Sequence, residues 1–410
     1  MYNTIFYIVI AIIVFDFVLE RWLNYLNAQK RNTPLPDELK DIYDENKYQK
    51  SIEYDIANSK FSFVTSTFNF VIILLMLFLE GFAWVDNIAG SYSYNPIFKA
   101  LLFFAILGFA SDILNMPFNI YNTFVIEDRF GFNKTTVRTF VLDKLKGWLL
   151  SILLGGVLAY IILWFYYQTT TMFWIYAWAI SSGFMIFFAM FYSNLIVPLF
   201  NKQEPLEDGE LKDAICKFAD KVDFKLDNIY KINGSKRSSK ANAYFTGLGA
   251  KKRIVLYDTL INELTTNEIV AVLAHEIGHY KRKHTLQSII LSVVQTGLTF
   301  YLISIFLRIP ALSQALGVEQ PCFHIGIIAF GILYSPFSLI IGLIMNILSR
   351  KNEYEADLYA RQNFDAENLI SSLKKLSNSN LSNLTPHPVY VFFHYSHPTL
   401  LDRINALRKN

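Results

Sequence analysis

Long apolar runs constrain this chain more than any other feature of its sequence. A helix that crosses the hydrocarbon layer of a membrane needs about 20 mostly apolar residues, and about seven runs approach that length. With 53% hydrophobic residues in a chain of 410, the apolar surface exceeds what a soluble core of this size would bury. The sequence therefore predicts an all-α multispan membrane protein with about seven transmembrane helices. The runs cover residues 5–22, 61–84, 97–114, 148–167, 172–200, 289–307 and 322–348.

The distribution of lysine and arginine between the loops predicts how the chain is oriented. Segments 25–60 and 119–146 each carry several of these residues, whereas segments 85–96 and 168–171 carry none. Short loops rich in lysine and arginine face the cytoplasm. We therefore expect the N-terminus outside, and both the polar segment 201–287 and the C-terminal tail on the cytoplasmic side.

The polar segment from residue 201 to residue 284 reads as a small α+β module. A helix is expected near residues 210–222, and apolar residues alternate at 229–232, 241–245 and 253–257 with glycines between them. Such alternation predicts a short meander or hairpin. Thr265 and Glu268 then fit a capping box, which marks the start of the next helix. We predict an N-terminal region of five spans at 1–200 and a second domain at 201–410 that includes two further spans, at about 289–307 and 322–348.

Charge and cysteine usage exclude two classes of function. The net charge of +3 is small and scattered, so nucleic acid is not an expected partner. Cys216 and Cys322 are the two cysteines, and their spacing matches neither a disulfide framework nor a thiolate metal site.

A motif with the spacing of a metal site lies in the helix that the capping box opens. His275 and His279 are four residues apart, so on a helix their imidazoles project from one face and can share one tetrahedral zinc ion. Glu276 lies between them, where its carboxylate can act as the general base that activates the attacking water. The motif predicts a hydrolytic zinc site.

A catalytic zinc ion needs a third protein ligand, which must come from elsewhere in the chain. An acidic cluster follows the last apolar run, and Glu353 and Asp357 in it share one side of a helix. Glu353 could be the third ligand, while Asp357 could accept the second ring N–H of a ligand histidine and fix its tautomer. Taken alone, such a cluster is typical of a solvated helix face.

Two basic side chains near the C-terminus are weaker candidates. His397 and Arg403 are suited to an anionic tetrahedral intermediate or to a neighbouring carboxylate ligand. Their spacing alone favours a capping histidine and an ordinary surface arginine. The remaining histidines have no comparable support and are predicted not to be ligands: His284, His324, His387 and His394.

Taken together, these motifs resemble the CAAX prenyl protease 1 family, which comprises multispan zinc proteases. The resemblance runs through almost the whole chain, and its specificity lies in the order and spacing of the motifs. Besides the histidine motif, the late acidic helix and the segment 397–403, it includes YNTFVIEDRFGFNKT at 121–135, SKRSS at 235–239, NAYFTG at 242–247 and KRIVLYDT at 252–259.

The resemblance implies a role for each matching residue. His275, His279 and Glu353 would bind one zinc ion per chain, and Glu276 would be the general base. His397 and Arg403 would lie beside the reacting carbonyl and the ligand carboxylate. Asn242, Ala243 and Tyr244 would offer a strand edge to an extended substrate, whose backbone can pair with it. The family also implies a helical barrel around a water-filled chamber.

We expect an enzyme that hydrolyses peptide bonds near the C-terminus of a peptide or protein, possibly an isoprenylated one. One alternative is a quality-control protease of broad specificity, and another is a transporter or scaffold with an inactive metal site. The tail lacks a clear dilysine retrieval signal, so we expect a bacterial inner membrane rather than the endoplasmic reticulum. The sequence gives no indication of the oligomeric state.

Overall fold

Helices make up most of the computed structural model, which describes residues 3–41, 44–169, 171–226, 228–246 and 253–409. Gly247 and Lys252, at the ends of the NAYFTG and KRIVLYDT motifs, lie outside these residues. The helices of the first half are α1 Thr4–Ala28, α2 Glu45–Phe78, α3 Gly81–Tyr92, α4 Pro96–Tyr121, α5 Glu127–Arg129, α6 Val137–Leu150, α7 Val157–Thr169, α8 Phe173–Leu195 and α9 Val197–Phe200. Two π-helical stretches, Asn122–Ile126 and Ser151–Gly156, join α4 to α5 and α6 to α7.

The expectation of a multispan helical membrane protein is confirmed, but the count of seven spans is not. Within the described residues, five helices are long and apolar enough to cross a membrane, or six if one bent pair counts as a span. The first predicted run lies in α1, which contains Asp16, Glu20 and Arg21. Charged side chains at these positions reduce the apolar length that a span requires.

The bent pair is the last predicted run, and it consists of two helices that meet at 54°. The first is α15 Phe323–Leu333 and the second is α16 Ser335–Asn363. Pro336 lies in the first turn of α16. Proline has no N–H and restricts the residue before it, so a helix tends to begin rather than continue there. The far end of α16 extends beyond the apolar run and carries the late acidic cluster.

The chain after residue 201 combines a four-stranded sheet with the remaining helices. Its strands are β1 Gln203–Pro205, β2 Asn228–Ile232, β3 Ala243–Thr246 and β4 Arg253–Tyr257. Its other helices are α10 Glu210–Lys221, α11 Asp258–Glu263, α12 Thr266–Lys281, α13 His284–Phe306, α14 Pro310–Ala315, α17 Ala366–Ser379, α18 Pro388–His394 and α19 Leu400–Arg408.

The sheet is mixed, so the expected hairpin is confirmed for β3 and β4, whereas a meander that continues from β2 is wrong. The strand order is β1-β2-β4-β3, with β2 parallel to β4 and the other pairs antiparallel. Alternating apolar residues indicate a strand but do not determine its partner. Of strands β2, β3 and β4, only β3 and β4 are both neighbours in the chain and partners in the sheet. Strand β3 lies at one edge of the sheet.

Close packing between α12 and α16 places the two candidate metal-binding segments side by side. A Cβ atom at Gly278 would lie 3.1 Å from the Cα and the carbonyl oxygen of Ala356, so the glycine allows the two backbones to approach. The buried residues of α16 near this contact are Asn352, Glu353, Ala356, Asp357 and Ala360. Their spacing forms one helical face that is directed at α12.

Candidate active site

The start of α12 is fixed by the capping box that the sequence predicts. The Thr265 hydroxyl accepts a hydrogen bond from the Glu268 N–H, and the Glu268 carboxylate accepts one from the Thr265 N–H. His275 and His279 lie farther along this helix on one face, with their Nε2 atoms 3.1 Å apart. Both imidazoles therefore direct their Nε2 atoms toward the same point.

Glu353 of α16 completes the group. Its Oε1 lies 3.2 Å from His279 Nε2, and its Oε2 lies 3.5 Å from His275 Nε2. The three residues together offer ligand atoms within 4.8 Å of one another. Burial disfavours a positive charge on His279, but the Glu353 carboxylate outweighs burial and raises the pKa of this imidazole. The site therefore favours a cation.

The spacing and chemistry of these donors fit a metal ion. Nitrogen and oxygen ligands at bond lengths of about 2.0–2.1 Å lie about 3.3 Å apart in a tetrahedral arrangement, and the three observed separations bracket that value. Glu353 Oε2 is also buried without a hydrogen-bond partner among the described residues. A buried carboxylate oxygen costs free energy unless it is paired, and metal coordination would satisfy it.

Asp357 and Arg403 fix the orientation of this group. Asp357 Oδ1 lies 2.8 Å from His275 Nδ1, so His275 is held with its Nε2 directed at the other two residues. Arg403 donates two hydrogen bonds to Asp357, at 2.8 and 2.6 Å, and its Nη1 lies 3.6 Å from Glu353 Oε2. The structure thus brings both residues to the positions that the sequence interpretation gives them.

His397 reaches the same carboxylate from the C-terminal segment. Its Nε2 lies 3.4 Å from Glu353 Oε1, while 61% of its side chain is exposed. Thr399, two residues later, accepts a hydrogen bond from the Asp402 N–H and caps α19. His397 is therefore directed at the site from just before a fixed helix start, with part of its ring free to contact a bound molecule.

A cavity of about 360 Å³ opens beside the histidine pair. Glu276 and His279 line it, together with Ser288 of α13 and Asn352 of α16. Its volume lies in the range of ligand-binding pockets. A peptide group could therefore approach the face of the metal-binding group on which Glu276 lies.

Comparisons with known proteins agree with the geometry. Residues 24–202 match the family model "CAAX prenyl protease N-terminal, five membrane helices", and residues 205–410 match "Peptidase family M48". CAAX prenyl protease 1 of Saccharomyces cerevisiae is 36% identical, over 96% of this chain and 92% of the relative. The chain belongs to the CAAX prenyl protease 1 family. A homologue from Arabidopsis thaliana is 35% identical, over 97% of this chain and 96% of the relative.

Solved structures extend the family likeness to the fold. The crystal structure of S. mikatae Ste24p matches with a TM-score of 0.95 and 35% identity, and the match covers all of both chains. Membership in the CAAX prenyl protease 1 family makes this chain a membrane-embedded peptidase, and peptidase family M48 implies a metal cofactor. The suspected resemblance is thereby confirmed.

His284 is the residue near the site that the sequence interpretation overlooked. It is buried, its Nδ1 lies 3.0 Å from His279 Nδ1, and its Nε2 lies 3.3 Å from Glu355 Oε2. His284 therefore contacts Nδ1 of His279, just as Asp357 contacts Nδ1 of His275. In both histidines, Nδ1 is the ring nitrogen that is directed away from the metal-binding group. Lys283, in the left-handed region with φ of 63°, starts α13 and turns His284 back toward α12. No sequence spacing indicates such a turn.

A second group of residues also has metal-ligand distances. It contains Asp86, Cys322 and His324, and the sequence interpretation expects no thiolate metal site and no ligand role for His324. His324 Nε2 lies 2.6 Å from Asp86 Oδ1, and the Lys99 ammonium lies 2.8 Å from the same oxygen. Because Lys99 already neutralises the carboxylate, we interpret this group as a buried ion-pair network rather than a metal site.

The predicted substrate strand is present as β3. Ala243 and Tyr244 pair with Leu256 and Val255 of β4, and the Asn242 carbonyl accepts a hydrogen bond from the Tyr257 N–H. Because β3 ends the strand order, its other edge carries no strand among the described residues. The segment that the sequence interpretation assigns to substrate binding therefore contributes to a strand edge with which an extended peptide could pair.

Proposed function

We propose that this protein is a zinc-dependent membrane endopeptidase that hydrolyses peptide bonds near the C-terminus of prenylated, CAAX-type proteins. The observation that carries the proposal is the convergence of His275, His279 and Glu353 beside a cavity that Glu276 lines. Two imidazoles, one carboxylate and an open side form the ligand set of a catalytic zinc site. The names of the relatives, CAAX prenyl proteases, support the substrate class.

Each side chain of the site would have a distinct role. Zinc, when bound by His275, His279 and Glu353, supplies a Lewis acid that polarises the substrate carbonyl. Glu276 would take a proton from the attacking water and deliver it to the leaving amine. His397 would stabilise the negative charge that develops on the carbonyl oxygen, and it would be aided by the charge of Arg403.

Substrate would bind as an added strand. Backbone pairing with the β3 edge at Asn242, Ala243 and Tyr244 holds any extended peptide, whatever its side chains, while its position along the strand determines which bond reaches the site. Asp357 would act only through His275, by fixing its tautomer. Arg403 would keep both Asp357 and Glu353 ionised in a buried setting.

The membrane arrangement follows from the loops and the exposure of the helices. We propose an N-terminus outside and a catalytic domain at 201–410 on the cytoplasmic side of the five-span region at 1–200. At most 17% of the apolar stretch of each candidate span is buried, as expected for helices that face lipid on one side and a water-filled chamber on the other. The yeast and Arabidopsis thaliana relatives are eukaryotic proteins, and a bacterial inner membrane gains no support from them.

Cys216 gives a direct test of this orientation, because it lies exposed on α10. In a Cys322→Ser variant, a membrane-impermeant maleimide should label Cys216 only after the cells are permeabilised. Labelling of Cys216 in intact cells would place the catalytic domain outside and overturn the proposed topology.

The function itself is tested by mass spectrometry of the products from matched farnesylated and plain CAAX peptides. Purified protein should release a short C-terminal fragment from the farnesylated peptide, and a chelator should abolish the release. Equal cleavage of both peptides would favour the broad quality-control protease instead. Absence of any product, with or without the chelator, would favour the transporter or scaffold with an inactive site.

A further inference from the structure

The inner loop at residues 121–135, which the metal site does not use, lies against the segment that leads into the substrate strand. The Lys134 N–H donates to the Arg237 carbonyl at 3.0 Å, and the Ser239 N–H donates to the Phe132 carbonyl at 3.0 Å. The two segments therefore pair through their backbones. Since 121–135 belongs to the membrane region and 235–239 to the catalytic domain, this pairing connects the two parts of the chain.

Lys240 adds a side-chain connection at the same place. Its ammonium donates to Glu127 Oε2 at 2.9 Å and to the Tyr54 hydroxyl at 2.8 Å, and it lies 4.4 Å from the ring centre of Phe132. The Tyr54 hydroxyl in turn donates to Glu127 Oε1 at 2.5 Å. Only 36% of the Lys240 side chain and 20% of the Glu127 side chain are exposed, so water screens this ion pair less than a surface pair.

A second tether lies three residues earlier. The Arg237 guanidinium donates to both carboxylate oxygens of Asp143, at 2.7 and 2.9 Å, and to the Phe200 carbonyl at 2.9 Å. Such a bidentate pair fixes direction as well as distance. The segment between Arg237 and Lys240 is thus held to the membrane region at both ends.

The position of Lys240 in the chain gives this contact a consequence for the substrate strand. Lys240 precedes Ala243, the first residue of β3, by three residues, and its carbonyl accepts a hydrogen bond from the Thr259 hydroxyl at 3.1 Å. The entry to β3 is thereby held by Thr259 of α11 on one side and by Glu127 on the other. Among the described residues, the open edge of β3 has no strand to hold it in place.

We propose that Lys240, through Glu127 and Tyr54, is a positioning residue for the substrate: the inner loop holds the entry to β3 in place, so that the β3 edge is ready to pair with an extended peptide. This inference rests on the proposed function of β3 as the substrate strand. The contacts of Lys240 are with the inner loop, with Tyr54 of α2 and with Thr259 of α11, and it has no part in the chemistry. Its loss should therefore weaken peptide binding while the turnover of bound peptide and the metal content stay unchanged.

The test compares steady-state kinetics of the purified wild type with three variants. Lys240→Met removes the charge but keeps an unbranched side chain, Lys240→Arg keeps the charge and the ring contact, and Lys202→Met is the control. Lys202 forms an exposed ion pair with Glu204 of β1, at the opposite end of the same sheet. In Lys240→Met, the loss of the charge-assisted hydrogen bonds should raise KM for the peptide on the order of tenfold.

We expect Lys240→Met to raise KM for the peptide with kcat and zinc content unchanged, and Lys240→Arg to restore KM. A Glu127→Gln variant, which keeps the side-chain length, should raise KM by a smaller factor. Lys202→Met should behave as the wild type. An unchanged KM in Lys240→Met, or a rise in KM accompanied by a fall in kcat and zinc content, would overturn the positioning role.

A binding measurement separates this inference from the proposed function. In a Glu276→Gln background, where peptide is held without turnover, adding Lys240→Met should weaken peptide affinity by the same factor. If the wild type cleaves no peptide at all, the proposed function fails. If the wild type cleaves and the affinity is unaffected by Lys240→Met, only the positioning role fails.

Discussion

At the scale of single residues, the site depends on which ring nitrogen each histidine presents. Asp357 lies against Nδ1 of His275, and His284 lies against Nδ1 of His279, so both Nε2 atoms are directed at Glu353. The sequence interpretation could place Asp357, because it shares a helix face with Glu353. It could not place His284, because the turn at Lys283 that brings His284 back is not visible in the spacing.

Glu276→Gln should separate metal binding from chemistry. The amide keeps the size of the side chain but cannot accept the proton of the attacking water, so turnover should fall by about 10²–10⁴-fold. Zinc content should equal that of the wild type, since Glu276 is outside the metal-binding group. Peptide cleavage followed by elemental analysis of the same preparation measures both. A Gln variant with full turnover would remove Glu276 from the mechanism.

His284→Ala should weaken metal binding without removing a ligand. Groups that orient a ligand histidine contribute about 10–100-fold to metal affinity, and His284 would orient His279. Titration with a competing chelator measures the affinity, with His394→Ala as the control because His394 contacts Glu20 and Tyr390 rather than the metal-binding group. Equal zinc affinities in the two variants would contradict an orienting role for His284.

At the scale of elements, motifs that act within one helical turn were more informative than the patterns that indicate strands and their partners. The capping box of α12 was predictable because Thr265 and Glu268 act within one turn. The sheet order was not predictable, because β2 pairs in parallel with a strand more than twenty residues away. The bend between α15 and α16 was missed because an apolar run does not show a break at Pro336.

Gly278→Ala tests the close contact between the two ligand-bearing helices. The added methyl group would lie 3.1 Å from the backbone of Ala356, so α12 and α16 must separate slightly, at a cost of about 1–3 kcal/mol. Both the unfolding temperature in detergent and the zinc affinity should fall. Gly342→Ala in α16 is the matched control, since a methyl group there meets no atom of the described residues within 4 Å. Similar zinc affinities in both variants would contradict the packing argument.

The ion pair at the start of α12 predicts a pH dependence of stability. Glu268 is buried, and although burial opposes its charge, Lys375, Ser371 and Thr265 outweigh burial and lower the pKa of its carboxyl. A lowered pKa means that the stabilisation is complete above the unfolded pKa of about 4.3 and is lost as pH falls through the folded value.

Glu268→Gln should therefore destabilise the protein at neutral pH by about 1.5–3 kcal/mol, the contribution of hydrogen bonds to a charged group, since Lys375 is 34% exposed and stays hydrated. The difference in the free energy of unfolding between Glu268→Gln and the wild type should shrink below a pH of about 4.3. Thermal unfolding in detergent between neutral and acidic pH measures it, with Glu367→Gln on the exposed face of α17 as the control. A difference that stays constant across this range would contradict the ionised state of Glu268.

At the scale of the whole molecule, the metal-binding group joins helices on either side of a membrane hairpin. His275 and His279 precede α13, and Glu353 lies in the second half of α16, the later helix of the bent pair, so most of two candidate spans separate the ligands along the chain. Folding of the second domain and insertion of these helices must both succeed before the site exists. The sequence indicated the ligands separately, whereas only the packing of α12 on α16 brings them together.

Elemental analysis of zinc in purified wild type and in Glu353→Ala tests whether His275, His279 and Glu353 bind one metal ion together. The account predicts about one zinc ion per chain in the wild type, and loss of most of it in Glu353→Ala while the protein stays folded. Glu367→Ala, an exposed carboxylate on α17, should keep the full amount. Full zinc content in folded Glu353→Ala would contradict the convergence of the three residues on one metal ion.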